Sequence, residues 1–358
     1  MTQPKITISK VESSRLSEID FDNLPFGKIF SDHMFAADYE NGVWKDFRIV
    51  PMANLSIHPG NLAWHYGQSI FEGMKASKSK DGVPMLFRPE EHIYRLNASA
   101  RRMCMPEFPE DVFIEAINTL VHMEQDWIPS QEGSALYLRP LMFAMDEALG
   151  VRPSTNYKML IMALPVGPYY SKPVSLLAET TYIRAANGGV GEAKTAGNYA
   201  ASLYPAKLAI EAGYDQIMWL DAKEFKYIQE VGTMNIFFVI GDTVVTPETT
   251  GTILKGITRK SAIEILKFND YKVEERLISI DEVVAAHASG ELKEVFGAGT
   301  AAVIAKVSKI GYEGKDMVLS GDTEVGDLIK KTINGLRLGT EIDHWNWTVA
   351  AKGAPVNV

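Results

Sequence analysis

Three prolines within nine residues, Pro165-Val166-Gly167-Pro168-Tyr169-Tyr170-Ser171-Lys172-Pro173, divide this 358-residue chain. Each fixes φ and removes a backbone donor, so no helix runs through the stretch. Apolar patterning long enough for a core lies on both sides. At roughly 100–200 residues per domain, this length suits two domains. The expected boundaries are 1–168 for the first domain, 169–173 for the joining loop and 174–358 for the second.

Both halves mix helix and strand, which gives an α/β (mixed α+β) class. Asn41-Gly42 and Asp81-Gly82 read as hairpin turns. Ile93, Leu96, Ala100 and Met103 recur at helical spacing. Pro109-Glu110-Asp111 suits the first turn of a helix whose stripe is Val112, Phe113, Ala116, Ile117, Leu120 and Val121. Strands are expected over 136–140 and 158–166. Beyond the prolines come strands at 174–177, 215–220 and 234–240, and helices at 200–212 and 258–268. Ser279-Ile280-Asp281-Glu282 resembles a capping box.

Composition excludes several classes. Hydrophobic residues make up 46% and charged residues 23%, an ordinary globular balance rather than a disordered one. No apolar run approaches the ~20 residues of a membrane span. A net charge of −9 argues against nucleic-acid coating and anionic membranes. Cys104 is the lone cysteine, so an intrachain disulfide and a multi-cysteine metal site are out, which fits a reducing cytoplasm. Its run, Met103-Cys104-Met105, reads as buried core. The start, MTQPKITISK, reads as neither a signal nor a transit peptide.

The seven histidines form no HExxH, and neither GxSxG nor GxxxxGK[ST] occurs, so no metal is expected. Gly188-Gly189-Val190-Gly191 lacks dinucleotide spacing. It runs instead into Lys194, set among small residues, where an amine can become a Schiff-base nucleophile. Glu230 heads an apolar strand and needs a partner, such as a protonated pyridine nitrogen. Gly256-Ile257-Thr258 opens a helix and offers N–H groups to a phosphate. Phe296-Gly297-Ala298-Gly299-Thr300-Ala301 is a second anion cradle. Taken singly, these remain open to plainer readings: a solvated lysine, a structural glutamate, an ordinary cap, a plain turn. Together they describe pyridoxal phosphate.

The ordered series FGKIFSDHM (26–34), FEGMKA (71–76), HIYRLNASARRM (92–103), GGVGEAKTAGNYAAS (188–202), QEVGTMNIFFV (229–239), GTILKGITRKS (251–261) and EVFGAGTAA (294–302) resembles the branched-chain amino acid aminotransferases. The resemblance implies PLP fold type IV, with a smaller N-terminal domain, a larger C-terminal one and pyridoxal 5′-phosphate at their interface. It implies that Lys194 is the Schiff-base lysine and proton shuttle. Glu230 would pair with the pyridine nitrogen and Tyr199 with the phenolic oxygen. Arg95, Ile257, Thr258 and Thr300 would hold the phosphate. Thr233 and the Ala301 N–H would receive the substrate α-carboxylate, and Phe26, Tyr66, Phe71, Tyr137, Met234 and Tyr169 would line the side-chain pocket. Tyrosine hydroxyls and Arg139 can receive the γ-carboxylate of glutamate.

The implied activity converts leucine, isoleucine or valine plus 2-oxoglutarate into a branched 2-oxo acid plus L-glutamate, ping-pong through the pyridoxamine form. The implied assembly is a homodimer in which Tyr66 and Phe71 come in part from the partner subunit. Ala302 and Ala305 stand where some members carry a redox-sensitive CxxC pair, so no such switch is expected. The alternatives are a D-amino acid aminotransferase or aminodeoxychorismate lyase of the same fold, a non-enzymatic PLP-binding homologue and, remotely, a nicotinamide dehydrogenase.

Overall fold

A computed structural model describes residues 5–170 and 172–353, so Ser171 of the expected joining loop lies outside the described residues. The chain divides into two compact units. One holds the chain up to Tyr169, the short return Ala193–Ala196 and the chain from Asn334. The other holds Tyr170–Glu192 and Gly197–Ile333.

In the first unit the strands are β1 (Thr7–Ile8), β2 (His33–Glu40), β3 (Val43–Pro51), β4 (Ser69–Phe71), β5 (Met74–Lys78), β6 (Pro84–Phe87), β7 (Ala135–Ala144) and β8 (Tyr157–Val166). They order as β1-β3-β2-β8-β7-β5-β6, with β4 also on β7. Asn41 and Gly42 both take positive φ, 52° and 82°, at the β2–β3 turn, as a two-residue hairpin of that hand requires. Helices α1 (Leu62–Tyr66), α2 (Pro89–Arg102) and α3 (Glu110–Met123) accompany the sheet. The stripes of α2 and α3 bury Ile93, Leu96, Phe113, Ile117 and Leu120 against Phe35, Leu136, Leu138 and Ile161. The period of two along β7 sends Tyr137 to the opposite face, where it packs with Ala135, Leu164 and Val166.

Asp146 ties down the loop after β7. Its carboxylate accepts from the Thr155 N–H at 3.1 Å, the Asn156 N–H at 2.9 Å and Arg152 Nη1 at 2.7 Å. Burial alone would raise this carboxyl, but Arg152 and the loop N–H groups outweigh it and hold it well below the usual range. A depressed folded value contributes stability above the unfolded value of about 3.9, lost as pH falls below it. We expect Asp146→Asn to cost roughly 2 kcal/mol at pH 7 and less near pH 2.5, part of the way through the window in which the stabilisation is lost. Paired melting curves at the two pH values check this; an equal loss at both would contradict it.

In the second unit the strands are β9 (Val174–Glu179), β10 (Gln216–Leu220), β11 (Ile228–Val231), β12 (Asn235–Ile240), β13 (Thr243–Thr246), β14 (Lys272–Glu275), β15 (Leu292–Gly299), β16 (Val303–Tyr312) and β17 (Lys315–Val318). Their order is β11-β10-β9-β16-β15-β12-β13-β14, with β17 on β16. The core gathers Leu176, Met218, Ile236, Phe238, Val295 and Ile310. The helices are α4 (Ala196–Ala200), α5 (Leu203–Glu211), α6 (Ile257–Phe268), α7 (Ile280–Ser289) and α8 (Glu324–Leu338).

Four expectations change. The helix expected over 200–212 starts later, as α5 at Leu203, and follows the separate short α4; between them the Ser202 hydroxyl donates to the Tyr199 carbonyl at 2.7 Å. The box at Ser279 is half formed. Its hydroxyl caps the Glu282 N–H, but the Glu282 carboxylate binds Arg276 at 2.6 Å instead of returning. Cys104 is exposed, not buried. It sits just past α2 at φ 53°, and this left-handed turn swings it outward while Met105 enters the core. Lastly, the chain from Asn334, expected in the second domain, groups with the first unit. Strand β18 (Thr348–Ala350) pairs antiparallel with β6, and Arg337 and Arg88 stack over Phe87 and Trp347 at 4.9 and 4.5 Å.

Candidate active site

Lys194 belongs to the short return that joins the first unit. Its peptide is fixed on both sides. The N–H donates to Ser99 Oγ at 2.9 Å, and the carbonyl accepts from the Phe71 N–H at 3.0 Å. The next residue, Thr195, donates its hydroxyl to the Ser69 carbonyl at 2.8 Å. The Lys194 ammonium stands 4.8 Å from the centre of the Phe71 ring.

The same ring carries a second cation. The Arg139 guanidinium lies 4.7 Å from Phe71 and 5.3 Å from Tyr137, and its Nη2 donates to the Tyr137 hydroxyl at 3.2 Å. Arg139 Nε is buried without a hydrogen-bond partner, and no carboxylate pairs with this arginine among the described residues. Tyr137 continues into an aromatic wall. Phe26 meets Tyr137 edge-on at 5.5 Å and Tyr169 at 5.1 Å. Burial, then the nearby Tyr137, raises the Tyr169 phenol, so it stays a neutral donor. Five of the expected substrate residues thus adjoin Lys194 through continuous contacts. Phe71 reaches Lys194 within one chain, so this contact needs no partner subunit. Tyr66 is elsewhere: its hydroxyl accepts from the Gly150 N–H at 2.9 Å, and its side chain is exposed.

Gly73 sets the position of Tyr137. A Cβ there would lie 2.8 Å from Tyr137 Cζ and closer still to its hydroxyl. We expect Gly73→Ala to cost about 1–3 kcal/mol by overpacking and to lower turnover by displacing the phenol. Thermal melting and steady-state assays check both; a variant equal to the parent in both would contradict this packing.

Arg95 lies on α2, where two edges of a buried carboxylate grip it. Its Nε and Nη2 donate to Glu72 Oε1 and Oε2 at 2.7 and 2.8 Å, and His92 Nδ1 meets Oε2 at 2.9 Å. Burial alone would raise Glu72, but Arg95 and then His92 outweigh it and hold its carboxyl far below the usual range. Burial, with Arg95 and Lys194 nearby, keeps His92 below its usual value despite Glu72, so it serves as a neutral donor.

In the second unit, Glu230 lies on β11 with its side chain nearly buried. Oε1 accepts from the Leu254 N–H at 2.7 Å, and Oε2 pairs with Arg184 Nε at 3.2 Å. The partner that this carboxylate requires is therefore supplied partly by the protein. Arg184 Nη2 reaches on to the Gly191 and Thr252 carbonyls. A Cβ on Gly191 would strike Ala185 and Thr252, so the glycine cluster serves this close crossing. Gly256 is the N-cap of α6 and no side chain caps the helix, which leaves the amides of Ile257 and Thr258 at an open positive end. A Cβ on Gly256 would crowd Asn235, whose amide holds the Leu254 carbonyl at 3.0 Å.

Thr233 sits at the tip of the β11–β12 turn, and Thr300 and Ala301 at the β15–β16 turn. Met234 packs on Gly297 and Gly299, where a Cβ would lie 2.9 and 3.0 Å from its side chain, and so sets the two turns side by side. Met234 is itself buried, a spacer between turns rather than an open wall. Tyr199, on α4, is half-buried.

Sequence reasoning missed Glu72, His92, Ser99, Arg184 and Asn235. Glu72 carried a usable signal, a carboxylate inside the apolar run Ile70–Met74. The donors of each unit have a clear chemistry. In the first unit an anchored primary amine and a held arginine fork, and in the second unit an uncapped helix start, each suit one part of a phosphorylated carbonyl compound. A buried carboxylate suits a protonated ring nitrogen. These residues fit pyridoxal 5′-phosphate. No group of three or more His, Cys, Asp or Glu among the described residues is placed to hold a metal ion.

The family model described as amino-transferase class IV matches residues 69–310. Branched-chain-amino-acid transaminase 1 of Bacillus subtilis (strain 168) is 50% identical over 338 residues, 92% of this chain and 95% of that protein. The branched-chain amino acid aminotransferase of Escherichia coli is 29% identical with a TM-score of 0.71, covering 89% of this chain and 99% of that one. A T.th. branched-chain amino acid aminotransferase complexed with N-(5′-phosphopyridoxyl)-L-glutamate is 27% identical with a TM-score of 0.72, covering 88% and 98%. With half its residues shared with such a relative along nearly its whole length, the chain belongs to the branched-chain-amino-acid aminotransferases of amino-transferase class IV.

Proposed function

We propose that this chain is an L-branched-chain amino acid transaminase that works with pyridoxal 5′-phosphate. It exchanges an amino group between leucine, isoleucine or valine and 2-oxoglutarate. The observation that carries the reading is the pair of cations over Phe71, Lys194 at 4.8 Å and Arg139 at 4.7 Å. An amine nucleophile, a carboxylate receiver and an apolar wall meet at one ring. The bound phosphopyridoxyl-glutamate of the T.th. relative supports the same cofactor and second substrate here.

When bound, pyridoxal 5′-phosphate supplies a carbonyl that condenses with amines and a ring that withdraws electrons from the substrate Cα. Lys194 Nζ would hold and move the proton taken from substrate Cα, as general acid–base catalysis needs. Glu230, oriented by Leu254 and Arg184, holds a proton at the pyridine nitrogen. Tyr199 donates to the phenolic oxygen. Arg95, Ile257, Thr258 and Thr300 hold the phosphate. Thr233 and the Ala301 N–H take the α-carboxylate.

One pocket must accept both an aliphatic side chain and a γ-carboxylate. Phe26, Phe71, Tyr137 and Tyr169 offer apolar ring faces to the first. Arg139 and the tyrosine hydroxyls receive the second. The enzyme is proposed to be a cytoplasmic homodimer. Exposed Trp64, Tyr66, Leu149 and Val151 support a subunit contact that carries Tyr66 to the partner's pocket. Among the described residues no helix is long and apolar enough to cross a membrane.

A steady-state panel with 2-oxoglutarate tests the assignment. L-leucine, L-isoleucine and L-valine are expected to yield L-glutamate. Turnover of D-alanine or aminodeoxychorismate in their place would favour the alternatives within the fold.

A further inference from the structure

Two short pieces of the first unit hold Lys194 and Arg95. One is the segment Ser69–Glu72. Its Ser69 carbonyl, Phe71 N–H and Phe71 ring engage Thr195, the Lys194 carbonyl and the Lys194 ammonium. The other is one face of α2. His92, Arg95 and Ser99 are spaced i, i+3, i+7, which puts them in a row. Ser99 takes the Lys194 N–H. Glu72 closes the arrangement, since its carboxylate, wholly buried, joins both pieces through Arg95 and His92.

We propose that Glu72 is a positioning residue that fixes the Arg95 guanidinium in register with Lys194, so that the phosphate end and the carbonyl end of the cofactor are gripped at a set spacing. The inference rests on the reading of Arg95 as a phosphate ligand. An arginine side chain carries large rotamer freedom, and a ligand that must order it loses affinity. The fork to Glu72 removes that freedom beforehand. It uses the Nε and Nη2 edge and turns the Nη1 side away from the carboxylate. His92 Nδ1 donates to the same Oε2 and keeps the carboxylate from rotating. A carboxylate beside a phosphate ligand subtracts attraction, so its use here is geometric rather than electrostatic.

The test compares pyridoxal 5′-phosphate with pyridoxal, which lacks the phosphate but condenses with the same lysine. Dissociation constants are read for both from visible absorbance on full-length protein freed of cofactor. The ratio of the two reports the phosphate grip alone. Glu72→Gln is expected to lower that ratio at least tenfold and to leave pyridoxal affinity within threefold. Glu72→Asp keeps the charge, and hence the fold, but withdraws the fork by one methylene; it is expected to lower the ratio as well. Arg95→Ala is expected to lower it at least as far, and adding Glu72→Gln to Arg95→Ala is expected to change nothing further. Equal weakening of both ligands, or an unchanged ratio in Glu72→Asp, would overturn the positioning role. An unchanged ratio in Arg95→Ala would instead overturn the reading of Arg95 itself.

Discussion

Lys194→Ala is expected to abolish the visible absorption band of the holoenzyme and to lower transamination of L-leucine by at least about 10⁴-fold, because it removes the side chain proposed as both nucleophile and proton carrier. The fold should survive. The hydrogen bonds to Ser99, Phe71 and Ser69 use the Lys194 backbone or the Thr195 hydroxyl, all present in the variant. The ammonium over Phe71, which the variant loses, is worth about 0.5–1 kcal/mol at a partly exposed site. Melting temperature is therefore expected to stay within a few degrees while activity vanishes. A variant that keeps full turnover would refute the assignment of Lys194.

Arg139→Leu is expected to separate the two halves of the reaction. The guanidinium has aromatic rings on two sides and a tyrosine hydroxyl at one tip. Removing one partner of a buried charge pair costs about 2–5 kcal/mol, and each 1.36 kcal/mol is tenfold in rate. We expect kcat/KM for L-glutamate and 2-oxoglutarate to fall by about 10²–10³-fold. Leucine presents no second carboxylate, so its half-reaction should stay within about threefold. Equal losses for both substrates would mean that Arg139 scaffolds Tyr137 or binds the α-carboxylate. Stopped-flow measurement of each half-reaction distinguishes these outcomes.

Local signals carried much of the fold into the sequence. Asn41-Gly42 and Asp81-Gly82 marked real turns, and the stripes of α2 and α3 matched their buried faces, because turn chemistry and helical period act within a few residues. The candidate site could be proposed where one residue suggests its chemistry: an amine among small residues, a glycine ahead of a helix. It was not legible where function depends on partners distant in sequence. Glu72 meets Arg95 across 23 residues, and Glu230 meets Leu254 across 24. Neither pairing has a periodicity. Cys104 failed for a different reason: its apolar neighbours suggested a core, but the left-handed turn ending α2 decided its direction. The return of the C-terminal chain to β6 was equally invisible, since it rests on Arg88, Trp347 and a strand pairing set by tertiary structure.

The central claim is double displacement of an amino group between a branched L-amino acid and 2-oxoglutarate. The most direct measurement mixes holoenzyme with ¹⁵N-labelled L-leucine alone, removes the excess, and then adds 2-oxoglutarate. The account predicts about one equivalent of 4-methyl-2-oxopentanoate per active site in the first step, in keeping with ping-pong kinetics. The second step should then yield the same amount of ¹⁵N-labelled L-glutamate and restore the starting visible spectrum. No oxo acid in the first step, or glutamate without the label in the second, would contradict it.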